Sequence, residues 1–258
     1  MQVFAGRFSG RRALVTGASK GIGRSTALRL SAEGARVGLV ARHLDDLEIV
    51  ADLIRSTGGE CLVLPADCSV EEEIRAAADR AAEAWGGLDV VVSNAGIELI
   101  DDDQPVDRLG LDVWERLIRT NLTGQFLTCK HGARHLLQSG GGSIVCIGSN
   151  CGSTGICAGE PAYSASKGGV LAMMRVMAND YAKANVRVNM VVPGVIDTPM
   201  NAPLAHDEAL RDLWLQAVPL KRMGTADEIA SAVCWLASDE ASYATGAVLV
   251  VDGGMAAV

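Results

Sequence analysis

One stretch decides the fold of this chain: residues 13–23 read ALVTGASKGIG. Residues 13–15 are apolar, as in a short buried strand, and a helical pattern begins at Gly23. Gly17 and Gly21 lie between the two elements. Glycine lets a backbone approach a ligand closely, and a helix N-terminus offers free N–H groups and a positive potential to a phosphate. The stretch therefore predicts a strand–loop–helix unit that holds a phosphate group.

The same order of strand and helix continues along the chain. Short apolar runs occur at residues 13–15, 36–40, 61–64, 88–92, 143–147, 186–192 and 247–251. Helical patterns lie between them, at residues 23–33, 45–56, 70–85, 112–137, 162–184 and 226–237. Continuous apolar strands are expected where helices cover both faces of a parallel sheet. The chain is therefore predicted to be an α/β protein, with a doubly wound, seven-stranded, mostly parallel sheet flanked by helices.

Two further features concern the organisation of the chain. No change of composition marks a linker, so residues 1–258 are expected to form one domain. Residues 197–220 fit the alternation poorly and predict a lid over a binding site. Acidic residues follow Ser69 and Thr225, so both are expected to cap helices, and Gly34 and Gly58 are expected just past helix C-termini.

Composition excludes several classes of protein. The net charge is −8 and no long basic run occurs, so a nucleic-acid partner is not expected. No apolar stretch approaches the roughly 20 residues that span a bilayer, so no membrane partner is expected. The first residues lack the apolar segment of a secretion signal, which predicts a cytoplasmic protein.

The seven cysteines form no C-x-x-C pair, which favours reduced thiols in a reducing compartment. Cys151 and Cys157 are the exception to a purely structural interpretation, because they share a loop near other candidate residues, and their role stays open. His131 and His135 have a spacing that zinc can use, but no carboxylate pattern accompanies them. No metal site is therefore predicted.

Further motifs follow the glycine loop in order. Asn94-Ala95-Gly96 follows the fourth strand, Asn121 lies in a long helix, and Ser149 follows the fifth strand. Tyr163 and Lys167 open the next helix, and Pro193-Gly194 ends the sixth strand. With these motifs, nearly the whole chain resembles the short-chain dehydrogenase/reductase family. The resemblance implies a Rossmann-type fold and an oxidoreductase that uses a nicotinamide cofactor.

The candidate catalytic group is Asn121, Ser149, Tyr163 and Lys167. Tyr163 and Lys167 are four residues apart, on one helix face. A neighbouring ammonium and the positive nicotinamide are expected to lower the pKa of Tyr163, which then exchanges a proton with the substrate oxygen. The resemblance implies that Ser149 binds that oxygen, that Lys167 also holds the nicotinamide ribose, and that Asn121 holds a water of a proton relay.

The resemblance also implies the residues that contact the cofactor. They are Gly17, Ser19, Lys20, Gly21, Ile22, Gly23, Arg42, Asp67, Cys68, Asn94, Ala95, Gly96, Tyr163, Lys167, Pro193, Gly194, Ile196 and Thr198. The second strand ends in Ala41, where an acid would select NAD. Arg42 and Lys20 would suit the 2′-phosphate of NADP, so NADP is preferred over NAD; the alternative is that both cations face solvent. For Asp67, adenine contact and helix capping remain alternatives.

The expected reaction interconverts a ketone or aldehyde and an alcohol. The resemblance extends to 3-oxoacyl-carrier-protein reductases, with an NAD-dependent sugar or cyclic-alcohol dehydrogenase as the alternative. A cofactor-sensing protein and an epimerase or lyase are less favoured, because Tyr163 and Lys167 are both present and 258 residues leave no extra substrate region. Family members commonly form homotetramers, with a homodimer as the alternative. The expected pocket walls are Ile97, Glu98, residues 150–160 and residues 200–218, including Leu204, His206, Leu213 and Trp214.

Overall fold

The structure is a computed structural model that describes residues 4, 6–155, 157–202 and 208–257. Its strands are Arg12–Thr16 (β1), Arg36–Ala41 (β2), Cys61–Pro65 (β3), Val90–Ser93 (β4), Gly142–Ile147 (β5), Val186–Pro193 (β6), Ile196–Asp197 (β7), Gly224–Thr225 (β8) and Val248–Val251 (β9). Its α-helices are Gly21–Ala32 (α1), Leu44–Ser56 (α2), Glu71–Trp85 (α3), Leu111–Leu117 (α4), Gly124–Gln138 (α5), Pro161–Tyr181 (α6), Glu208–Gln216 (α7) and Ala226–Ala237 (α8).

The main sheet has seven strands in the order β3-β2-β1-β4-β5-β6-β9, and each neighbouring pair is parallel. The predicted doubly wound sheet is confirmed, and the bounds of its strands differ from the predicted ones by at most two residues. The strand order changes direction between β1 and β4. In open α/β sheets this is where a crevice forms outside the carboxyl ends of the strands. β7 and β8 pair separately in a short two-stranded ladder.

Helices cover both faces of the sheet, as the continuous apolar strands require. On one face Val15 of β1 is buried with Leu30 of α1 and Val233 of α8. On the other face Leu14 of β1 is buried with Ile74 of α3, and α5 and α6 complete that layer. Successive strand residues therefore enter two different cores, and burial on both sides fixes the strand register.

The helix signals are only partly correct. Thr225 and Glu228 form a reciprocal capping box at the start of α8, as expected for Thr225. The prediction for Ser69 is wrong, because its hydroxyl donates to Asp67 Oδ1 at 2.8 Å and Val70 precedes α3. Gly34 and Gly58 follow helix ends with φ values of +103° and +79°, which confirms their expected places.

The predicted long helix at residues 112–137 is three segments. α4 is followed by a π-helical turn, Ile118–Thr123, and then by α5. The predicted helix at 162–184 ends earlier, with α6 stopping at Tyr181 before the 3₁₀ turn Ala182–Ala184. None of the helices in the described ranges is long and apolar enough to cross a membrane.

The predicted lid, residues 197–220, is described in two parts. A 3₁₀ turn covers Pro199–Asn201, and α7 covers Glu208–Gln216. Leu204 and His206, expected there as pocket residues, lie outside the described residues. The function of this segment as a lid and the assignment of the whole chain to one domain both stay predictions.

Candidate active site

A cavity of about 530 Å³ opens at the carboxyl ends of the strands. The segments that follow six strands, β1 to β6, contribute to its lining. All the predicted cofactor-contact and catalytic residues line it except Gly23 and Asn121. The fold therefore gathers residues that are up to about 180 positions apart in the sequence around one space, from Gly17 to Thr198.

The glycine loop is tied to the loop after β4. Asn94 Nδ2 donates to the Thr16 carbonyl at 2.9 Å, and the N–H groups of Asn94 and Ala95 donate to Thr16 Oγ1 at 3.1 and 3.2 Å. A Cβ on Gly17 would lie 2.7 Å from Asn94 Nδ2, and a Cβ on Gly23 would lie 2.5 Å from it. Larger residues at either position would separate the two loops. Gly23 therefore helps to hold the two loops together, although it does not line the cavity.

These residues fit a dinucleotide cofactor. The loop leads into the N-terminus of α1 at Gly21, whose φ is +53°, a conformation that side chains rarely adopt. Thr198 lies against this glycine, since a Cβ there would be 3.3 Å from Thr198 Cγ2. The cradle is therefore shaped by backbone, and a pyrophosphate can approach the free N–H groups of the helix.

The end of the cavity beside β1, β2 and β3, where the adenosine of a dinucleotide would lie and which we call the adenosine end, contains charges of both signs. Lys20 Nζ forms an ion pair with Asp46 Oδ2 at 2.9 Å. Arg42 lines the same region and forms no ion pair with the residues that the structure describes. Asp67 Oδ1 accepts hydrogen bonds from the N–H and the hydroxyl of Ser69, at 2.9 and 2.8 Å. Asp67 thus organises the turn before α3 while also lining the cavity.

Three candidate catalytic side chains meet at the other end. Tyr163 and Lys167, one turn apart on α6, are 6% and 4% exposed. The side chain of Tyr163 lies near Ser149, whose Oγ accepts a hydrogen bond from the Cys151 N–H at 3.3 Å. Lys167 Nζ donates to the Ile147 carbonyl at 3.2 Å and lies 5.6 Å from the centre of the Tyr163 ring.

Burial dominates the protonation of this group. It lowers the pKa of Lys167 to about 8, although Glu98 opposes the shift. It raises the pKa of Tyr163 well above its usual value, and Glu98 adds to the shift while Ser149 partly offsets it. The expected lowering of the Tyr163 pKa is therefore wrong for the protein's own groups. Desolvation of the phenolate is the largest cause of this rise in pKa.

Asn121 lies in the π-helical turn and is fully buried. Its Oδ1 accepts from the Ile97 N–H and its Nδ2 donates to the Ile97 carbonyl, both at 2.8 Å. Nδ2 also lies 3.3 Å from Ser166 Oγ of α6. The side chain therefore fastens the loop after β4 to α6 behind Gly96. Its predicted part in a proton relay stays a prediction.

Asp103 is a functional candidate that the sequence did not indicate. It is 2% exposed, and its two carboxylate oxygens accept from the N–H groups of Ala162 and Tyr163 at 3.2 and 2.8 Å. These are orphan donors at the start of α6, where no local side chain caps the helix. Asp103 therefore positions the turn that carries Tyr163. In the sequence it is the last of three adjacent acids, which is typical of a solvated loop.

The predicted pocket walls are partly confirmed. Ile97, Glu98, Asn150, Met200 and Trp214 line the cavity, whereas Glu160 and Leu213 do not. Glu160 is instead buried directly before α6, at 6% exposure, as part of a small neighbouring depression. Burial and the nearby carboxyl of Glu160 raise the pKa of Glu98 to about 8, and burial raises the pKa of Glu160 as well.

Cys151 and Cys157 form a disulfide, and both line the cavity. The role of these two cysteines, which the sequence left open, is therefore to close the loop between β5 and α6. Six positions separate the two cysteines, with no motif that marks them, and the loop between β5 and α6 brings their Cα atoms to 5.3 Å. The remaining cysteines are free.

The histidines that suggested a zinc spacing have other partners. Nε2 of His131 lies 3.2 Å from Glu71 Oε1, and Nε2 of His135 lies 2.7 Å from Asp79 Oδ1. Both carboxylates belong to α3, so these contacts join α5 to α3. The carboxylate partners, absent from the local sequence pattern, come from a neighbouring helix.

Comparison with known proteins agrees with this geometry. Residues 17–256 match a family model described as enoyl-(acyl carrier protein) reductase. A cis-4-hydroxycyclohexanecarboxylate dehydrogenase of Sinomonas cyclohexanicum is 42% identical, over 97% of this chain and 98% of its own. A 3-oxoacyl-[acyl-carrier-protein] reductase of Salmonella typhimurium is 40% identical, over 96% and 98%. A short-chain type dehydrogenase/reductase of Mycobacterium marinum, of solved structure, has a TM-score of 0.90 at 38% identity, and 96% of each chain is covered.

The fold, the cavity and these relatives together define a class of enzyme. The chain belongs to the short-chain dehydrogenase/reductase family. It is a nicotinamide-dependent oxidoreductase that transfers a hydride between the cofactor and a ketone, aldehyde or alcohol.

Proposed function

We propose that this enzyme interconverts a secondary alcohol and its ketone, with NADP preferred over NAD. The observation that carries the proposal is the meeting of Ser149, Tyr163 and Lys167 at one end of the cavity. When bound, the nicotinamide supplies the hydride or accepts it. Tyr163 would exchange a proton with the substrate oxygen, and Ser149 would hold that oxygen by a hydrogen bond. Lys167 would favour the phenolate by its charge.

The preference for NADP rests on the adenosine end. Ala41 leaves no acid to bind the ribose hydroxyls, and Arg42 lines the cavity one residue further on. An Arg–phosphate pair is a charge-assisted, bidentate contact. Lys20 is the weaker contributor, because Asp46 already holds its ammonium at 2.9 Å.

Titration with NADPH and NADH, followed by nicotinamide fluorescence, tests this preference without a substrate. We expect wild type to bind NADPH at least ~10-fold more tightly, and Arg42→Asp to reverse or abolish the difference. Arg80→Asp, an exposed position on α3, is the control and should leave the ratio unchanged. An unaltered ratio in Arg42→Asp would refute the assignment.

For the substrate we favour a ring-bearing secondary alcohol over an acyl carrier. The Sinomonas relative, whose name specifies a hydroxylated ring, supports this choice. The second candidate is a 3-oxoacyl thioester, which the Salmonella relative supports. Turnover of cyclohexanol and cyclohexanone, compared with that of a 3-oxoacyl thioester, separates them. Reduction of the thioester alone would reverse the choice.

We also propose a homotetramer in the cytoplasm. Apolar side chains are exposed on three neighbouring helices: Trp114 on α4, Phe126 on α5 and Val176 on α6. Association of subunits would cover them. Light scattering on the eluting protein tests the stoichiometry, and cell fractionation tests the location. In a reducing cytoplasm we expect the Cys151–Cys157 disulfide to form only transiently.

A further inference from the structure

Three carboxyl groups converge beside the first turn of α6. Glu98 follows β4 and lines the cavity. Asp103 and Glu160 are buried, at 2% and 6% exposure. Asp103 uses both oxygens to bind backbone N–H groups, so it is a capping residue. The other two carboxyls are not used in this way, and no part of the proposed reaction accounts for them.

Glu98 and Glu160 form a pair. Their carboxyl groups are close enough for each to shift the pKa of the other. Oε2 of Glu160 is buried and has no hydrogen-bond partner among the described residues. Two carboxylates this close do not both ionise readily, so the pair retains a proton near neutral pH. Burial, the charge of Glu160 and that of Asp103 raise the pKa of Glu98, while Lys167 opposes them.

No cation at this end of the cavity is reserved for a substrate anion. Among the described residues that line the cavity, the lysines and arginines are Lys20, Arg42 and Lys167. Lys20 and Arg42 lie at the adenosine end, after β1 and β2. Lys167 is already bonded to the Ile147 carbonyl, and burial lowers its pKa to about 8.

We propose that Glu98, backed by Glu160, selects neutral substrates that carry a second hydroxyl or carbonyl and disfavours substrates that carry a carboxylate. A carboxyl pair with one proton can both donate to a neutral oxygen group and accept from it. A substrate carboxylate in the same place would meet like charge in a poorly solvated cavity. This inference rests on the proposed alcohol–ketone chemistry. It sets this chain apart from the Sinomonas relative, which is named for a carboxylate substrate.

Two ring alcohols of similar size test the inference: cis-4-hydroxycyclohexanecarboxylate, an anion, and cis-4-(hydroxymethyl)cyclohexanol, which is neutral. We expect wild type to have a kcat/KM at least ~10-fold higher for the diol, mainly through KM. Substitution of both residues, Glu98→Gln with Glu160→Gln, keeps the shape but removes the charge of the pair, and should reduce this ratio by about the same factor. Glu98→Gln alone should reduce the ratio less, because Glu160, which does not line the cavity, keeps its charge.

Glu83→Gln, an exposed position on α3, is the control and should leave the ratio unchanged. A wild-type preference for the acid, or a ratio that the double substitution does not change, would overturn the inference while leaving the oxidoreductase chemistry intact. Failure to turn over either alcohol with either cofactor would overturn the inference together with the proposed function. The wild-type preference needs no variant, so a misfolded variant would not decide the outcome.

Discussion

The two ends of the cavity are built in different ways. At the cofactor end, backbone and small residues determine the shape, as where Gly17 and Gly23 let Asn94 tie two loops together. At the substrate end, side chains from separate loops meet, as where Asp103 caps α6 across about 60 positions of sequence. The cofactor end depends on the absence of large side chains at certain positions. The substrate end depends on contacts between residues that are far apart in the sequence. We therefore expect the two ends to respond to substitution in separable ways.

The largest expected effect is on chemistry at the substrate end. Tyr163→Phe removes the group that we propose exchanges the proton, so kcat should fall by about 1,000-fold, within the range seen for loss of a general acid or base. NADPH affinity should stay within about twofold, since the backbone cradle is unchanged. Tyr181→Phe, at the other end of α6, is the matched control. Wild-type turnover in Tyr163→Phe would remove Tyr163 from the reaction.

The next effect is on the cofactor end. In Gly23→Ala the new Cβ would clash with the Gly17 carbonyl and with Asn94 Nδ2, so the two loops must separate. We expect NADPH affinity to fall by at least ~10-fold, equal to about 1.4 kcal/mol. Gly58→Ala is the control, because its Cβ would meet nothing within 4 Å, although Gly58 has a positive φ and Gly23 does not. Equal affinities in the two variants would contradict this view of the cradle.

A third, smaller effect tests whether the substrate end depends on contacts across loops. Asp103→Ala leaves two N–H groups at the start of α6 without acceptors, which should cost about 2 kcal/mol of stability. Displacement of Tyr163 should lower kcat by about 10-fold while NADPH binding persists. Thermal unfolding, kcat and fluorescence titration measure the three quantities. Asp102→Ala is the control, and equal behaviour of the two variants would show that Asp103 does not position the helix.

The smallest effect concerns the disulfide. Reduction, or the double substitution Cys151→Ser with Cys157→Ser, opens a short loop beside Ser149. The loss of loop closure should cost about 2 kcal/mol of stability and change kcat/KM only a few-fold. A thiol count before and after reduction, together with the melting temperature, checks this. Seven reactive thiols in the unfolded, unreduced protein would show that the bond is absent in solution.

The sequence predicts the cofactor end better than the substrate end, for a physical reason. Gly17, Gly21 and Asn94 belong to short motifs that follow a strand or precede a helix, so they can be located before the fold is known. Asp103 acts only because the sheet brings its loop to α6, and a run of acids gives no sign of that partner. The Glu98–Glu160 pair and the Cys151–Cys157 bond likewise depend on tertiary contacts.

The pKa shifts and ion pairs of the site could not be predicted from the sequence alone. The position of Lys167 on the same helix face as Tyr163 was predictable from spacing, but the depth of both side chains was not. Burial reverses the expected direction of the Tyr163 pKa shift. It also brings the pKa of Lys167 to about 8, close to neutrality. From the sequence, Lys20 and Arg42 were equal candidates to bind a 2′-phosphate. The ion pair of Lys20 with Asp46 makes Lys20 the weaker candidate.

The π-helical turn at Ile118–Thr123 has a consequence for any insertion or deletion in this region. Such a turn accommodates an additional residue without ending the helix. Deletion of one residue would favour a continuous α-helix and rotate α4 relative to α5 by about 100°. The hydrogen bonds of Asn121 to Ile97 require the present rotation of the helix about its axis. Point substitutions around Asn121 should therefore disturb the packing less than a single deletion does. The deletion would rotate the helix and change which of its residues face α6.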